Sequence, residues 1–338
     1  MKSKLFSTLV LIAVIILAPS AAGMAATVIK LAHSSPAAND RLEDGCLIFK
    51  KYVEEKSGGA IKVDTFPASQ LGAEREQLEG VQMGSIEMAA LSGGPFPAIF
   101  PDIMVFDVPF LFSSEEVAYE IMDGPIGKSL ADKLLKTTGI RLLAYGENGF
   151  RNFTTNKLVQ TPDDMKGMKI RVMENPAYMQ LVRELGAIPT PLPFSEIYTA
   201  LSQGVADGQE NAASLTESAR FYEVQKHMVI DRHTFGPYLY IMNDAFYNSL
   251  SPVHRKIVDE GAVLMAGEER RMNREQTESG IKRMTQAGLK VNSLTQEQFS
   301  QFRAKTQPAV IAIVKKQVDP KTVDAFLQAV TEAEAGRR

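Results

Sequence analysis

Tryptophan is absent from the 338 residues, cysteine occurs once and histidine four times. Each scarcity excludes something. Cys46 alone cannot close an internal disulfide. It shares a helical stripe with Leu42, Phe49 and Val53, which predicts a core thiol rather than a reactive one. The histidines, His33, His227, His233 and His254, are dispersed, and no two stand at the spacing of metal ligands on a helix. There is no G-x-S-x-G elbow, H-E-x-x-H, C-x-x-C, Walker loop, G-x-G-x-x-G or D-x-D-type calcium loop. No metal or cofactor is therefore expected. A carboxylate-pair enzyme survives this screen, because acid and base are brought together in space rather than in sequence. Basic tracts interleaved with aromatics are also missing, so nucleic acid is not an expected partner.

What is present begins with an address. Lys2 and Lys4 precede a nearly unbroken apolar run from Leu5 to Leu17 and then the small residues of PSAAGMAA. That order is the pattern of a secretory signal peptide over 1–26, with cleavage between Ala22 and Ala26. The apolar run is shorter than the roughly 20 residues a membrane-spanning helix needs. Losing Lys2 and Lys4 leaves 35 basic against 40 acidic residues, a net charge of −5. An anion site in the exported protein, expected in the periplasm, would thus be a local inversion of sign.

The remaining chain reads as strands alternating with helices, which predicts a parallel α/β sheet with ligands beyond the carboxyl ends of its strands. TVIKLAH, IKVDTF and SIEMAAL are strands, and helices are expected over 41–56 and 74–83. His33, Glu74, Arg75 and the Ser92–Gly94 loop fall near such strand ends. FPDIMVFDVPFLF reads as buried packing, two helices follow, and IRLLAYG leads to Glu147-Asn148-Gly149, expected to form a tight turn. Thr161-Pro162-Asp163-Asp164 has the form of a capping box with proline at the first helical position. KIRVM alternates, putting Ile170 and Val172 on one face and Arg171 on the other. A helical pattern from Ser251-Pro252 to about Ala287 would extend about 54 Å if unbroken, enough to brace two domains. Gly261, Gly267 and Gly280 are its candidate weak points.

The stretch from Gly149 to Asn211 carries the chemistry. Arg151, Arg171 and Asn211 together supply guanidinium forks and an amide, equipment for holding a planar anion such as a carboxylate. Glu210 and Asp207, beside Asn211, read as turn and solvent groups. The far end of such an anion stays open. A second carboxylate would need Arg75, Arg41 or His33, whereas hydroxyl groups would suit Glu74, Asn39, Asp40 and His233. The acidic, amide-rich loops of the first domain favour a hydroxylated acid.

Several phrases resemble one known family. EEKSGGAIKVDTFPASQLG, EREQLEGVQMGSIEM, VFDVPFLF, ENGFRNFTTN, MKGMKIRV, GAIPTPLPFSEIYTALSQGVADGQEN and FYEVQKH, colinear over nearly the whole mature chain, are similar to the DctP-like solute-binding proteins of tripartite ATP-independent periplasmic (TRAP) transporters. The resemblance implies a two-lobed α/β binding protein that closes on an organic acid and delivers it to a membrane permease. Each lobe would be a sheet flanked by helices, with one long helix bracing both. Lobe I would comprise 27–148 plus about 236–276, and lobe II 149–235 plus about 277–330. By the same resemblance Arg171 in KIRV is the principal carboxylate clamp, Arg151 in GFRNFT a second arginine at the ligand, and Asn211 in DGQEN an amide on the carboxylate. Phe194 in PLPFSE would be the ring over the ligand. His233, His33 with Ser34, and Glu74 align with positions that read its variable end. Two departures stand out: Ala212 replaces the proline that often follows QEN, and SSPAANDRLEDG replaces the usual run towards a His-Pro pair. A monomer is expected. The competing readings are a secreted enzyme on small acids and a sensory binding protein serving a histidine kinase.

Overall fold

A computed structural model describes residues 26–337. The predicted signal segment lies outside the described residues except for Ala26. In chain order the first elements are β1 (Thr27–Ala32), α1 (Arg41–Lys56), β2 (Ile61–Phe66), α2 (Glu74–Met83), β3 (Met88–Ser92), α3 (Glu115–Asp123), α4 (Pro125–Thr138) and β4 (Ile140–Thr155). The middle comprises β5 (Lys169–Val172), α5 (Pro176–Glu184), β6 (Ile188–Pro191), α6 (Ile197–Ser202), β7 (Gly208–Ala212), α7 (Ala213–Ser218) and β8 (His227–Asn243). The chain closes with α8 (Asp244–Ser249), α9 (Pro252–Gln286), β9 (Lys290–Ser293), α10 (Gln296–Gln317) and α11 (Pro320–Ala335).

The sheet is mixed rather than parallel, and this corrects the expectation from strand–helix alternation. Its order is β2-β1-β3-β8-β4-β7-β5-β6, with β9 on β8. Within each half the pairs β1/β2, β1/β3, β5/β6 and β5/β7 are parallel, but β3/β8, β4/β8 and β4/β7 are antiparallel. The reason is connectivity: β4 carries the chain out of the first half and β8 brings it back, so the two run opposite ways. The lobes of this two-lobed fold therefore share a pair of long strands.

The expected turn at Glu147-Asn148-Gly149 is not there either. Those residues lie inside β4, and the pairing with β8 slips between Glu147 and Gly149 and again between Arg151 and Phe153. Bulges of this kind bend a strand and re-aim its side chains without ending it. Gly149 takes a φ of +95°, which its lack of a Cβ permits, and sits opposite Gly236 of β8.

Helix patterns hold closely. Cys46, Leu42, Phe49 and Val53 are all fully buried in one core cluster. The Thr161 capping box is present, although it opens a short 3-10 turn rather than an α-helix. The predicted long helix is α9, 35 residues without a break. It packs on α1, β4 and α7. At Gly261 an added Cβ would meet Phe49 and Val53 side chains at 3.1 Å, so the glycine allows close approach of α1 rather than weakening the helix. Among the described residues no helix is long and apolar enough to cross a membrane.

Candidate functional site

Where the two halves of the sheet meet, the ends of β1 and β3 and the start of α2 face β5, β7 and the segment after β6. Together they line one small cavity. Ser34, Ser35, Glu74, Ser92 and Tyr238 line it from the first side, and Arg171, Met173, Phe194, Asn211 and Leu215 from the second, with Asn148 and Arg151 of β4 between them. A wider cleft shares Glu74, Arg171, Met173 and Phe194 with the cavity and adds Arg75, Glu174 and Pro95.

Arg171 is the most unusual group there. Alternation along β5 buries Ile170 and Val172 in the core and turns Arg171 to the other face, where it is 2% exposed. Its Nε and Nη2 both donate to the carbonyl of Leu192, at 2.9 and 2.7 Å. Among the described residues no carboxylate forms an ion pair with it, and Nη1 has no protein acceptor. Burial lowers its pKa to about 10, an effect that Arg151 reinforces and that Glu210 and Glu74 only partly offset. A buried cation without a counter-charge is costly, and an anion in the cavity would relieve that cost.

Arg151 is buried as deeply, but its charge is matched by Glu210. Its Nε donates to Glu210 Oε2, while Nη2 donates to Glu210 Oε1 at 2.9 Å and to the Glu210 carbonyl at 2.7 Å. Burial opposes its charge, but the Glu210 carboxylate outweighs that and holds its pKa above the ordinary value. Glu210, read from the sequence as a solvent group, is instead completely buried. Arg151 and His233 hold its pKa down against the desolvation that would raise it. The chain of contacts continues: His233 Nε2 lies 3.4 Å from Glu210 Oε2, its Nδ1 2.8 Å from Asp231 Oδ2, and its ring stacks on Phe153 at 4.3 Å. Burial disfavours the imidazolium, yet Asp231 and Glu210 outweigh it and push the His233 pKa up to about 9.

The structure brings Arg171, Arg151, Asn211, Phe194, Glu74 and Ser34 together around one cavity and places three other candidates elsewhere. His233 stands behind Arg151 in the buried chain just described. His33 is fully buried with its Nε2 2.7 Å from Glu43. Arg75 is exposed, in contact with Glu79 at 3.2 Å and, across the cleft, with Glu174 at 3.4 Å. Asn211 belongs to β7 opposite Asn152 and donates to Gln209 Oε1 at 3.0 Å; the residue that caps α7 is Ala212. The sequence reading did not single out Ser35, Met173, Leu215 or Tyr238. Only Ser35, next to Ser34, carried a local signal. Asn148 was visible but assigned to a turn.

One cluster has the composition of a metal site: donor atoms of His33, Glu43 and Cys46 lie within 4.8 Å of one another. Burial, with Glu43, Asp40 and Glu269 nearby, drives the Cys46 pKa well up. Within the cluster His33 Nε2 is paired with Glu43, while its Nδ1 has no hydrogen-bond partner among the described residues.

Known proteins resemble the chain in sequence and fold. The family described as bacterial extracellular solute-binding protein, family 7 (DctP), matches residues 31–317. A solute-binding protein of Verminephrobacter eiseniae is 44% identical over 203 residues, 60% of this chain and 60% of its own length. The 2,3-diketo-L-gulonate-binding periplasmic protein YiaO of Escherichia coli is 34% identical over 254 residues, 75% of this chain and 77% of its own. The crystal structure of the sugar acid binding protein DctPAm from Advenella mimigardefordensis, in complex with galactonate, superposes with a TM-score of 0.88 at 31% identity, covering 91% of this chain and 99% of that one. With a family match across most of its length and a two-lobed fold around a buried arginine, the chain belongs to the DctP family of extracellular solute-binding proteins.

Proposed function

We propose that this chain captures a carboxylate-bearing small molecule between its lobes and delivers it, as a monomer in the periplasm, to the membrane permease of a TRAP transporter. The observation that carries the reading is Arg171, a guanidinium buried at the cavity wall whose protein partner is one carbonyl. A carboxylate matches its free donors in charge and planar geometry. Arg151, held in place by Glu210, and Asn211 complete the carboxylate's hydrogen bonds, and Phe194 covers it. Glu74 and Ser34 contact the rest of the ligand. His233, His33 and Arg75 support these groups from outside the cavity. The family is one of binding proteins rather than enzymes, and the ligands in its relatives' names, 2,3-diketo-L-gulonate and galactonate, support an organic acid here.

Lobe I is 27–148 plus about 236–276, and lobe II is 149–235 plus about 277–330. The facing pair Gly149 and Gly236 and the bulges beside it are the hinge, and ligand shifts the population towards the closed form. A thermal-shift panel of uronates, aldonates, C4-dicarboxylates and 2-oxo acids tests the reading. A bound acid at 100 times its dissociation constant adds about 2.7 kcal/mol of stability, and small-angle scattering should show compaction with the same acid. A melting temperature unmoved by every acid overturns the proposal.

A further inference from the structure

The two walls of the cavity differ in chemistry. Arg171 and Asn211 offer a cation and an amide. The facing wall is built around Glu74, in the first turn of α2. Its Oε1 accepts the backbone N–H of Ser92 at 2.8 Å and its Oε2 the Ser92 hydroxyl at 2.9 Å. An ionised carboxylate can accept about four hydrogen bonds and donates none, so what Glu74 still lacks is donors. Ser34 Oγ accepts from Ser69 Oγ at 2.9 Å and from Gln77 Nε2 at 3.3 Å. With both acceptor positions taken, its own proton is left to give. Asn148 Oδ1 accepts from Arg41 Nη2 at 3.3 Å, which leaves the amide NH2 as its unspent group. The wall thus combines one fixed, negatively charged acceptor with two donors. Alcohol groups, each both donor and acceptor, meet that requirement.

A second carboxylate does not. It would need a cation on this wall, and every nearby candidate is committed. Arg75 is exposed and paired with Glu79 and Glu174. Arg41 is bonded to Asp40 and Asn148 and lies 3.4 Å from Glu269. His33 faces Glu43. The far carboxylate of a diacid would meet Glu74 with no cation on that wall to offset the repulsion, and it could not supply the protons Glu74 accepts.

Resting on the organic-acid reading above, we infer that the cavity takes a polyhydroxylated monocarboxylate, an aldonate or uronate in chemical class, and that Glu74 selects it by binding alcohols and repelling a second carboxylate. Titration calorimetry on protein freed of carried-over ligand by unfolding and refolding tests this with D-gluconate, D-glucuronate and succinate. One of the two hydroxy acids should bind at least about tenfold more tightly than succinate. Glu74→Gln keeps the shape and one acceptor but drops the charge; it should shrink that ratio at least about fivefold, weakening the hydroxy acid and strengthening succinate. Succinate binding as tightly as both hydroxy acids, or a ratio unmoved by Glu74→Gln, overturns the inference and leaves the organic-acid reading standing. If none of the three binds, the inference falls, and the wider acid panel decides the reading beneath it. Should Glu74→Gln fail to fold, the wild-type ranking decides the class, and Ser34→Ala should weaken the tighter hydroxy acid about threefold or more; an unchanged affinity overturns the assignment of that wall.

Discussion

Arg151 and Arg171 lie on the same cavity, are equally buried and differ in one respect. Arg151 has Glu210, with His233 and Asp231 behind it, whereas Arg171 has a backbone carbonyl. The first arrangement is a finished structure, with its charges neutralised inside the protein. The second leaves a buried charge with no internal counter-ion pair among the described residues. A residue type and a burial value cannot separate the two roles, but the presence or absence of an internal counter-charge does.

That comparison can be broken in four ways. Glu210→Ala should have the largest effect, because it leaves Arg151 buried and unpaired; breaking a buried pair costs about 3–5 kcal/mol, measurable as a lower denaturation midpoint with no ligand present. Arg171→Met should do the opposite, leaving the ligand-free melting temperature unchanged or raised while removing charge-assisted bonds of about 1.5–3 kcal/mol each. Calorimetry should show affinity reduced well over tenfold, and Arg171→Lys should restore little of it, since an ammonium lacks the planar fork. Comparable binding by the Met variant would remove the distinction between the arginines.

His233 gives a smaller, pH-dependent effect. Its pKa is about 9 folded against an ordinary 6.5, so folding favours the protonated ring. The stability it adds is complete below about pH 6.5 and is lost as pH rises through about 9. Glu269, which burial raises to about 8 despite the opposing pull of Arg41, also favours its protonated form on folding and works in the same direction. Melting temperature should decline from pH 6.5 to 9, less steeply in His233→Gln; equal slopes would show that the imidazole carries no charge. The smallest effect belongs to Arg75→Ala, since exposed ion pairs contribute little. Affinity for the acid should stay within about twofold, and a larger loss would make Arg75 part of the site.

Legibility in the sequence followed the range of the interactions. Helices α1, α2 and α9 were readable because their signals, chiefly apolar spacing, act within a few residues. Arg171 was readable as the outward residue of an alternating strand. Glu210 was misread because an acidic residue beside turn signals is ordinarily solvated, and the partner that buries it is 59 residues away. The turn predicted at Glu147-Asn148-Gly149 failed for a related reason: glycine and asparagine permit a turn, but pairing with β8, some 90 residues later, carries the strand on through a bulge. His233 and Asp231 lie in an irregular stretch of β8, between the pairs Arg151/Thr234 and Phe153/Val229, so strand alternation could not reveal their contact. Tyr238 and Leu215 carried no local mark at all.

The sharing of β4 and β8 by both lobes has a consequence for synthesis. β3 is buried along its whole length, and on one edge its partner is β8, residues 238–242. A nascent chain that has emerged only as far as β7 exposes that edge, with the apolar run Met88–Leu91, to whatever strand it meets first. Neither half of the sheet can be completed until residue 243 is available, more than two thirds of the way along the chain. The two lobes are thus expected to unfold in a single transition, checked by coincident denaturation curves from fluorescence and circular dichroism. Separately expressed halves would be expected to aggregate rather than to assemble.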